Sequence, residues 1–221
     1  MDHLLFGLVG VVALILSLSV HEFSHGAVAL LLGDETAKRM GRLTLNPVPH
    51  IDPIGTLLLP ILGAISGLPM FGWAKPVPVN PYNLKHGRWG EAMVAMAGPA
   101  SNFVIAILAG LAVRMLLMGG VAVNNLLIVF LLILVMVNVL LGVFNFIPVH
   151  PLDGAKLLNA FLDSPKYQKL RTTLEVNGPT ILLVIIILDF VSPVPLLGSV
   201  FTAVLGGFLG ILGLDQIPGL V

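Results

Sequence analysis

The strongest constraint on this chain is its first apolar run, Leu4 to Leu32, which contains no Lys, Arg or Asp. As a helix rising 1.5 Å per residue, it is long enough to cross a bilayer core of about 30 Å. Comparable runs recur to the end of the chain. Of its 221 residues, 57% are hydrophobic and only 10% are charged, against about 25% charged in soluble domains. There is too little polar surface to cover a water-facing globule. In lipid the backbone must satisfy its own hydrogen bonds, which makes helices the spanning elements. The expected fold is an all-α polytopic membrane protein. The first run is not expected to be a removable signal peptide, since it lacks a basic leader and a small-residue cleavage site.

Six apolar segments can be read. After Leu4–Leu32, ended by Gly33 and Asp34, come Ile54–Phe71, Glu91–Met118, Val123–Ile147, Pro179–Val191 and Leu196–Leu214. Pro60, Gly63, Gly67 and Pro69 interrupt the second. Lys and Arg collect at 38–42, 75–88 and 156–171, and the positive-inside tendency puts all three groups on the cytoplasmic face. That requires Ile54–Phe71 to dip into the membrane and return, a path tolerated where protein buries it. The alternative is a kinked full crossing, since Pro and Gly are tolerated in spanning helices. "GRLTLNP" and "WAKPVPVNPYNL" have the alternation and proline content of short edge strands beside the membrane.

His21, Glu22 and His25 form H-E-x-x-H inside the first run. On a helix the two histidines lie one turn apart on one face. That spacing lets both imidazoles bind one Zn2+ while the glutamate acts as base toward water. Intramembrane ionisable groups are costly unless paired or facing water, so three together need compensation. The chain has no Cys, so any metal must use His and carboxylate ligands. Two histidines leave a tetrahedral site one protein ligand short. Glu91, Asp153, Asp189 and Asp215 are the acids near apolar segments. Asp153 follows a helix whose end is broken by Pro148, Pro151 and Gly154, a loop that could turn a carboxylate inward. It reaches the depth of the histidines most easily if its helix runs parallel to the first, as a re-entrant Ile54–Phe71 would make it.

The chain resembles the site-2 protease family of intramembrane zinc metalloproteases. "HEFSH" matches its H-E-x-x-H, "AGPASN" (Ala97–Asn102) its G-x-x-x-N, and "NFIPVHPLDG" (Asn145–Gly154) its N-x-x-P-x-x-x-L-D-G. The loops around residues 41–56 and 75–84 are similar to those of short prokaryotic members, with no PDZ or CBS domain expected. The resemblance implies a three-helix core around one Zn2+. His21, His25 and Asp153 would be its ligands, Glu22 the general base, and Asn102 and Asn145 contacts for substrate or oxyanion. His150, three residues before Asp153, departs from the apolar residue expected there. It could be a partner of a ligand, a competing ligand or an interfacial histidine. His50 and His86 are expected to be solvated.

The function these readings imply is hydrolysis of peptide bonds in or near transmembrane segments, on the cytoplasmic half of a cell membrane. The substrate would be a membrane protein or peptide, unwound and paired by strand addition to the edge strands. One membrane-embedded domain is expected over 1–221, with its core in 1–160 and C-terminal helices in 177–215. Eleven Lys+Arg balance eleven Asp+Glu, so nucleic-acid binding has no electrostatic support. An ion transporter would want polar residues spread over successive depths, whereas these concentrate at one. A catalytically silent protein that holds membrane segments is the third possibility.

Overall fold

The first apolar run forms a single helix, α1 (His3–Leu31), in the computed structural model, which describes residues 3–66, 72–162 and 164–217. Its end is set by Gly33, whose φ of +105° is open to a residue without Cβ. Gly33 N–H then bonds Leu30 O, and Asp34 N–H reaches back to Ala29 O, the paired closure that satisfies the last carbonyls. A single turn, α2 (Thr36–Arg39), follows.

Two long helices, α4 (Arg88–Met118) and α5 (Leu126–Asn145), pack against α1. The buried face of α4 is built from small residues: Ala95, Gly98, Asn102, Ala106, Ala109 and Val113. Its Val104, Ile107, Leu108, Leu111 and Met115 face outward. This is the pattern expected in lipid, where small residues let backbones approach and large apolar ones cost nothing outside. Toward the far end of α4 and α5, α8 (Leu196–Leu212) seats Leu205, Leu209 and Leu212 in the same core as Val113, Ile128 and Val135. Helix α6 (Asp153–Phe161) packs along α4. In α7 (Gln168–Val191), the polar stretch at 168–177 is continuous with the apolar one that follows. Only Gly178 of α7 is buried, against the backbone of His150. Among the described residues, four helices are long and apolar enough to cross a membrane: Leu5–Leu31, Arg88–Met118, Leu126–Asn145 and Pro165–Val191. The protein is a multi-pass helical membrane protein.

The described limbs of the second apolar segment, 54–66 and 72–75, lie side by side at their outer ends. A wide π turn at Pro53–Leu58, capped by Asp52, leads into α3 (Leu59–Ser66). Helix α3 lies against the first half of α1, where Gly7 leaves room for Ala64. The returning limb meets the entering one: Trp73 N–H donates to Gly55 O, Thr56 Oγ1 to Trp73 O, and Lys75 N–H to His50 O. The chain therefore enters and leaves from the same end of α1. The tip of the expected segment, 67–71, lies outside the described residues.

The expected edge strands do not form among the described residues. "GRLTLNP" is bent, and residues 73–80 run as one unpaired extended strap. Pairing is blocked chemically. The N–H groups of Trp73, Lys75, Val77 and Asn80 are taken by Gly55 O, His50 O, Glu22 Oε2 and Asp34 Oδ2. Pro76 and Pro78 have no N–H to offer. His50 is also not solvated: it is 2% exposed, with Nε2 bonded to Thr44 O. His86 is exposed as expected.

Asp34 ties the strap to the end of α1. It accepts from Thr36 N–H and Oγ1, from Asn80 N–H at 2.7 Å and from Asn83 Nδ2 at 3.0 Å. Burial alone would raise its carboxyl, but these bonds hold it below its ordinary 3.8. A depressed carboxylate stabilises the fold above its unfolded pKa, and this clamp is lost only as pH falls through the lower folded value. Asp34→Ala is expected to loosen 77–84 by about 2 kcal/mol, the scale of one charge-assisted bond. Hydrogen exchange there would speed up roughly thirtyfold and exchange in α5 would be unchanged.

Candidate metal centre

His21 and His25 stand one turn apart on α1, both at most 8% exposed, and Asp153 opens α6 directly opposite them. The two Nε2 atoms are 3.0 Å apart, and Asp153 Oδ2 lies 3.2 Å from one and 3.1 Å from the other. The loop that delivers Asp153 is tightly turned. A Cβ on Gly154 would fall 2.5 Å from the carbonyl oxygens of both Phe146 and Ile147.

The tautomers follow from what the outer ring nitrogens touch. His25 Nδ1 is 2.7 Å from Val94 O, and His21 Nδ1 is 2.6 Å from Asn102 Oδ1. Both partners only accept, so both Nδ1 atoms donate. Each neutral ring therefore turns an Nε2 lone pair inward. Pro99, which has no N–H for the helix ladder, leaves the adjacent carbonyl, Ala95 O, without its i+4 donor in this turn. Two lone pairs and a carboxylate oxygen meeting in a buried space repel one another unless a cation lies among them. Asp153 Oδ2 has no hydrogen-bond donor of its own.

A divalent ion fits this arrangement. Zinc bonds of 2.0–2.1 Å in a tetrahedron put neighbouring donor atoms about 3.3 Å apart, close to the observed separations. The third side is kept clear by Gly98, where a Cβ would stand 2.5 Å from His25 Nε2 and 2.6 Å from His21 Nε2. His21, His25 and Asp153 are the one cluster of metal-binding side chains found among the described residues.

Glu22, 8% exposed, is not among these three. Its Oε2 accepts the Val77 N–H at 2.6 Å, so the strap fixes the carboxylate beside the cluster. Asn102 has both side-chain atoms engaged, Oδ1 with His21 and Nδ2 with Asn138 Oδ1 at 2.8 Å. Through Oδ1 it braces an imidazole, and one of its two Nδ2 hydrogens goes to Asn138. Asn145 is half-buried at the end of α5, its Nδ2 bonded to Leu141 O. His150 is exposed and outside the cluster. Of the other acids considered, Asp189 caps the start of α8 through Leu197 and Gly198 N–H, and Glu91 and Asp215 are also outside the cluster. Sequence reasoning missed Val77 and Asn138. The second carried a signal, as an amide in the middle of the most apolar helix.

The comparisons with known proteins agree with this chemistry. Residues 112–188 match the model of Peptidase family M50. YwhC of Bacillus subtilis, named as a zinc metalloprotease, is 36% identical over 187 residues, covering 83% of this chain and 80% of its own. Rip2 of Mycobacterium tuberculosis, similarly named, is 33% identical over 67% of this chain and 55% of its own. A zinc metalloprotease of Methanocaldococcus jannaschii is 28% identical over 78% of this chain and 40% of its own. No solved structure matches significantly. With a relation to YwhC that runs through most of both sequences, and a buried donor set suited to Zn2+, this chain belongs to the M50 peptidases, the site-2 protease family of zinc metalloproteases.

Proposed function

We propose that this protein cleaves peptide bonds within or beside transmembrane segments of membrane-protein substrates, on the cytoplasmic half of a cell membrane. The observation that carries the reading is the buried His21–His25–Asp153 triangle, set within the membrane-spanning bundle and beside a fixed carboxylate. His21, His25 and Asp153 hold one Zn2+. When bound, the metal supplies Lewis-acid polarisation of water and of the scissile carbonyl.

The chain's own groups do the rest. Glu22 takes a proton from the attacking water and returns it to the leaving amine. The Val77 N–H holds that carboxylate in place, so no rotamer search precedes proton transfer. Asn102 holds His21, and Val94 O holds His25, each with its lone pair directed inward. Asn145, at the end of α5, is the amide proposed to contact the substrate. The strap, rather than a strand edge, forms the wall along which an unwound segment lies, with Lys75 and Pro76 carbonyls drawn back by Arg42. The catalytic unit is the core within 1–160. The cytoplasmic assignment rests on the Lys and Arg groups at 38–42, 75–88 and 156–171.

The test uses purified protein in proteoliposomes with a panel of single-span substrates, zinc-loaded or chelated, and cut sites mapped by mass spectrometry. Cuts are expected in or next to the spanning segment, reversed by chelation and restored by zinc. His21→Ala is expected to lose zinc and cleavage together. Zinc-dependent cutting confined to soluble peptides would overturn the intramembrane reading, and full zinc retention by His21→Ala would overturn the ligand set. Zinc flux without cleavage would favour the transporter.

A further inference from the structure

Asn138 sits in the middle of α5, fully buried, in a helix otherwise apolar from Leu126 to Phe144. An amide in a membrane interior is costly unless every polar atom is paired. Here every one is. Nδ2 donates to Ser17 Oγ and to Leu134 O, each at 2.8 Å. Oδ1 accepts from Asn102 Nδ2 at 2.8 Å, and Asn102 Oδ1 faces His21 Nδ1 at 2.6 Å. Ser17 spends its own proton on Ala13 O at 2.7 Å. The chain of bonds joins α1, α4 and α5 and ends on a proposed zinc ligand.

This chain has a forced direction. Leu134 O is a backbone carbonyl and can only accept. Ser17 Oγ, having donated to Ala13 O, can also only accept. Asn138 must therefore turn its NH2 toward both and its Oδ1 toward Asn102. Asn102 must in turn give its NH2 to Asn138 and present Oδ1 to His21. His21 then has to carry its proton on Nδ1, which leaves the Nε2 lone pair facing Asp153 and His25. Reversing any member would set two acceptors against each other in a dry site, where such pairs are most costly.

We infer that Asn138 is a positioning residue for the metal centre. Through Asn102, it transmits the polarity of two fixed backbone carbonyls to the His21 ring and selects the tautomer that can bind zinc. The inference rests on the proposed ligand set. A bare helix-to-helix bond would hold α4 and α5 together equally well in either sense. The positioning role needs the sense.

Asn138→Thr and Asn138→Val separate the two roles, because the side chains are nearly isosteric. The Thr hydroxyl can donate to Leu134 O, four residues back, and accept from Asn102, which keeps the direction. Val keeps the shape and removes the bond. Zinc affinity is read by competition with a chromophoric chelator, the Co2+-substituted spectrum reports the ligand field, and thermal unfolding of the chelated protein reports packing. Asn138→Val is expected to lose 10- to 100-fold in zinc affinity, the usual effect of losing a ligand's outer partner. Asn138→Thr is expected to stay within a few-fold of the unmodified protein on that scale, and the two chelated variants to unfold together. Any result in which Thr and Val bind zinc equally overturns the inference, as does an affinity loss that tracks the unfolding temperature. His21→Ala run alongside keeps the readings apart. If it retains zinc, the ligand set fails. If it loses zinc while Asn138→Val does not, only the relay fails.

Discussion

Glu22→Gln is expected to lower cleavage by about 10³-fold, within the range attributed to a positioned acid–base group, while zinc content stays unchanged. The carboxylate is not one of the three atoms that converge on the metal position, so its loss leaves the donor set intact. Glutamine is nearly isosteric, and its Oε1 can still accept the Val77 N–H, which lies 2.6 Å from the native Glu22 Oε2. The strap therefore stays where it is. What disappears is basicity, since an amide neither takes a proton from water nor returns one to an amine. The loss should appear in kcat with KM little changed, because an interaction confined to the transition state has been removed. Metal analysis and single-turnover cleavage on the same preparation check both halves. Cleavage near the native rate with zinc bound would rule out Glu22 as the base.

Gly98→Ala is expected to take the metal away, and cleavage with it. A Cβ at this position would stand 2.5 Å from His21 Cε1 and His25 Nε2, a separation that real Cβ atoms do not reach. Neither ring has room to retreat, since Asn102 and Val94 O hold the outer nitrogens. Zinc affinity should fall by more than about 100-fold, beyond the loss of an outer partner, and cleavage with it. The same clash has to be relieved in the chelated state, so the gain of about 1 kcal/mol from Ala as a better helix former than Gly is offset and the unfolding temperature is expected to fall. Equilibrium dialysis against buffered zinc, with thermal unfolding of the chelated form, separates the two effects. Gly110→Ala is the control: its Cβ would meet a terminal methyl of Leu212, so it perturbs α8 and spares the metal.

Much of the metal site could be read in the order of residues. The H-E-x-x-H pair needs only helical spacing to converge, and Asp153 needs only the right helix direction. Both depend on local geometry and on counting crossings. The strap could not be read in the same way. Its alternation resembles a strand, yet whether it pairs depends on where four N–H groups find acceptors. Glu22 lies 55 residues from the Val77 it bonds. The Asn138 to Ser17 bond joins positions 121 apart, and no periodicity connects them. His50 misled for a similar reason: a histidine in a polar loop looks solvated until the returning limb covers it. Asn102 was located by its motif, but its bonds to two different helices decide what it does.

The donor set also has an order in time. His21 and His25 leave the ribosome on the first helix, and Asp153 follows more than a hundred residues later, after α4 and α5. Until that loop is made and folded against α1, the two imidazoles have no carboxylate opposite them. The three donors of the cluster therefore come together only after most of the chain has been made.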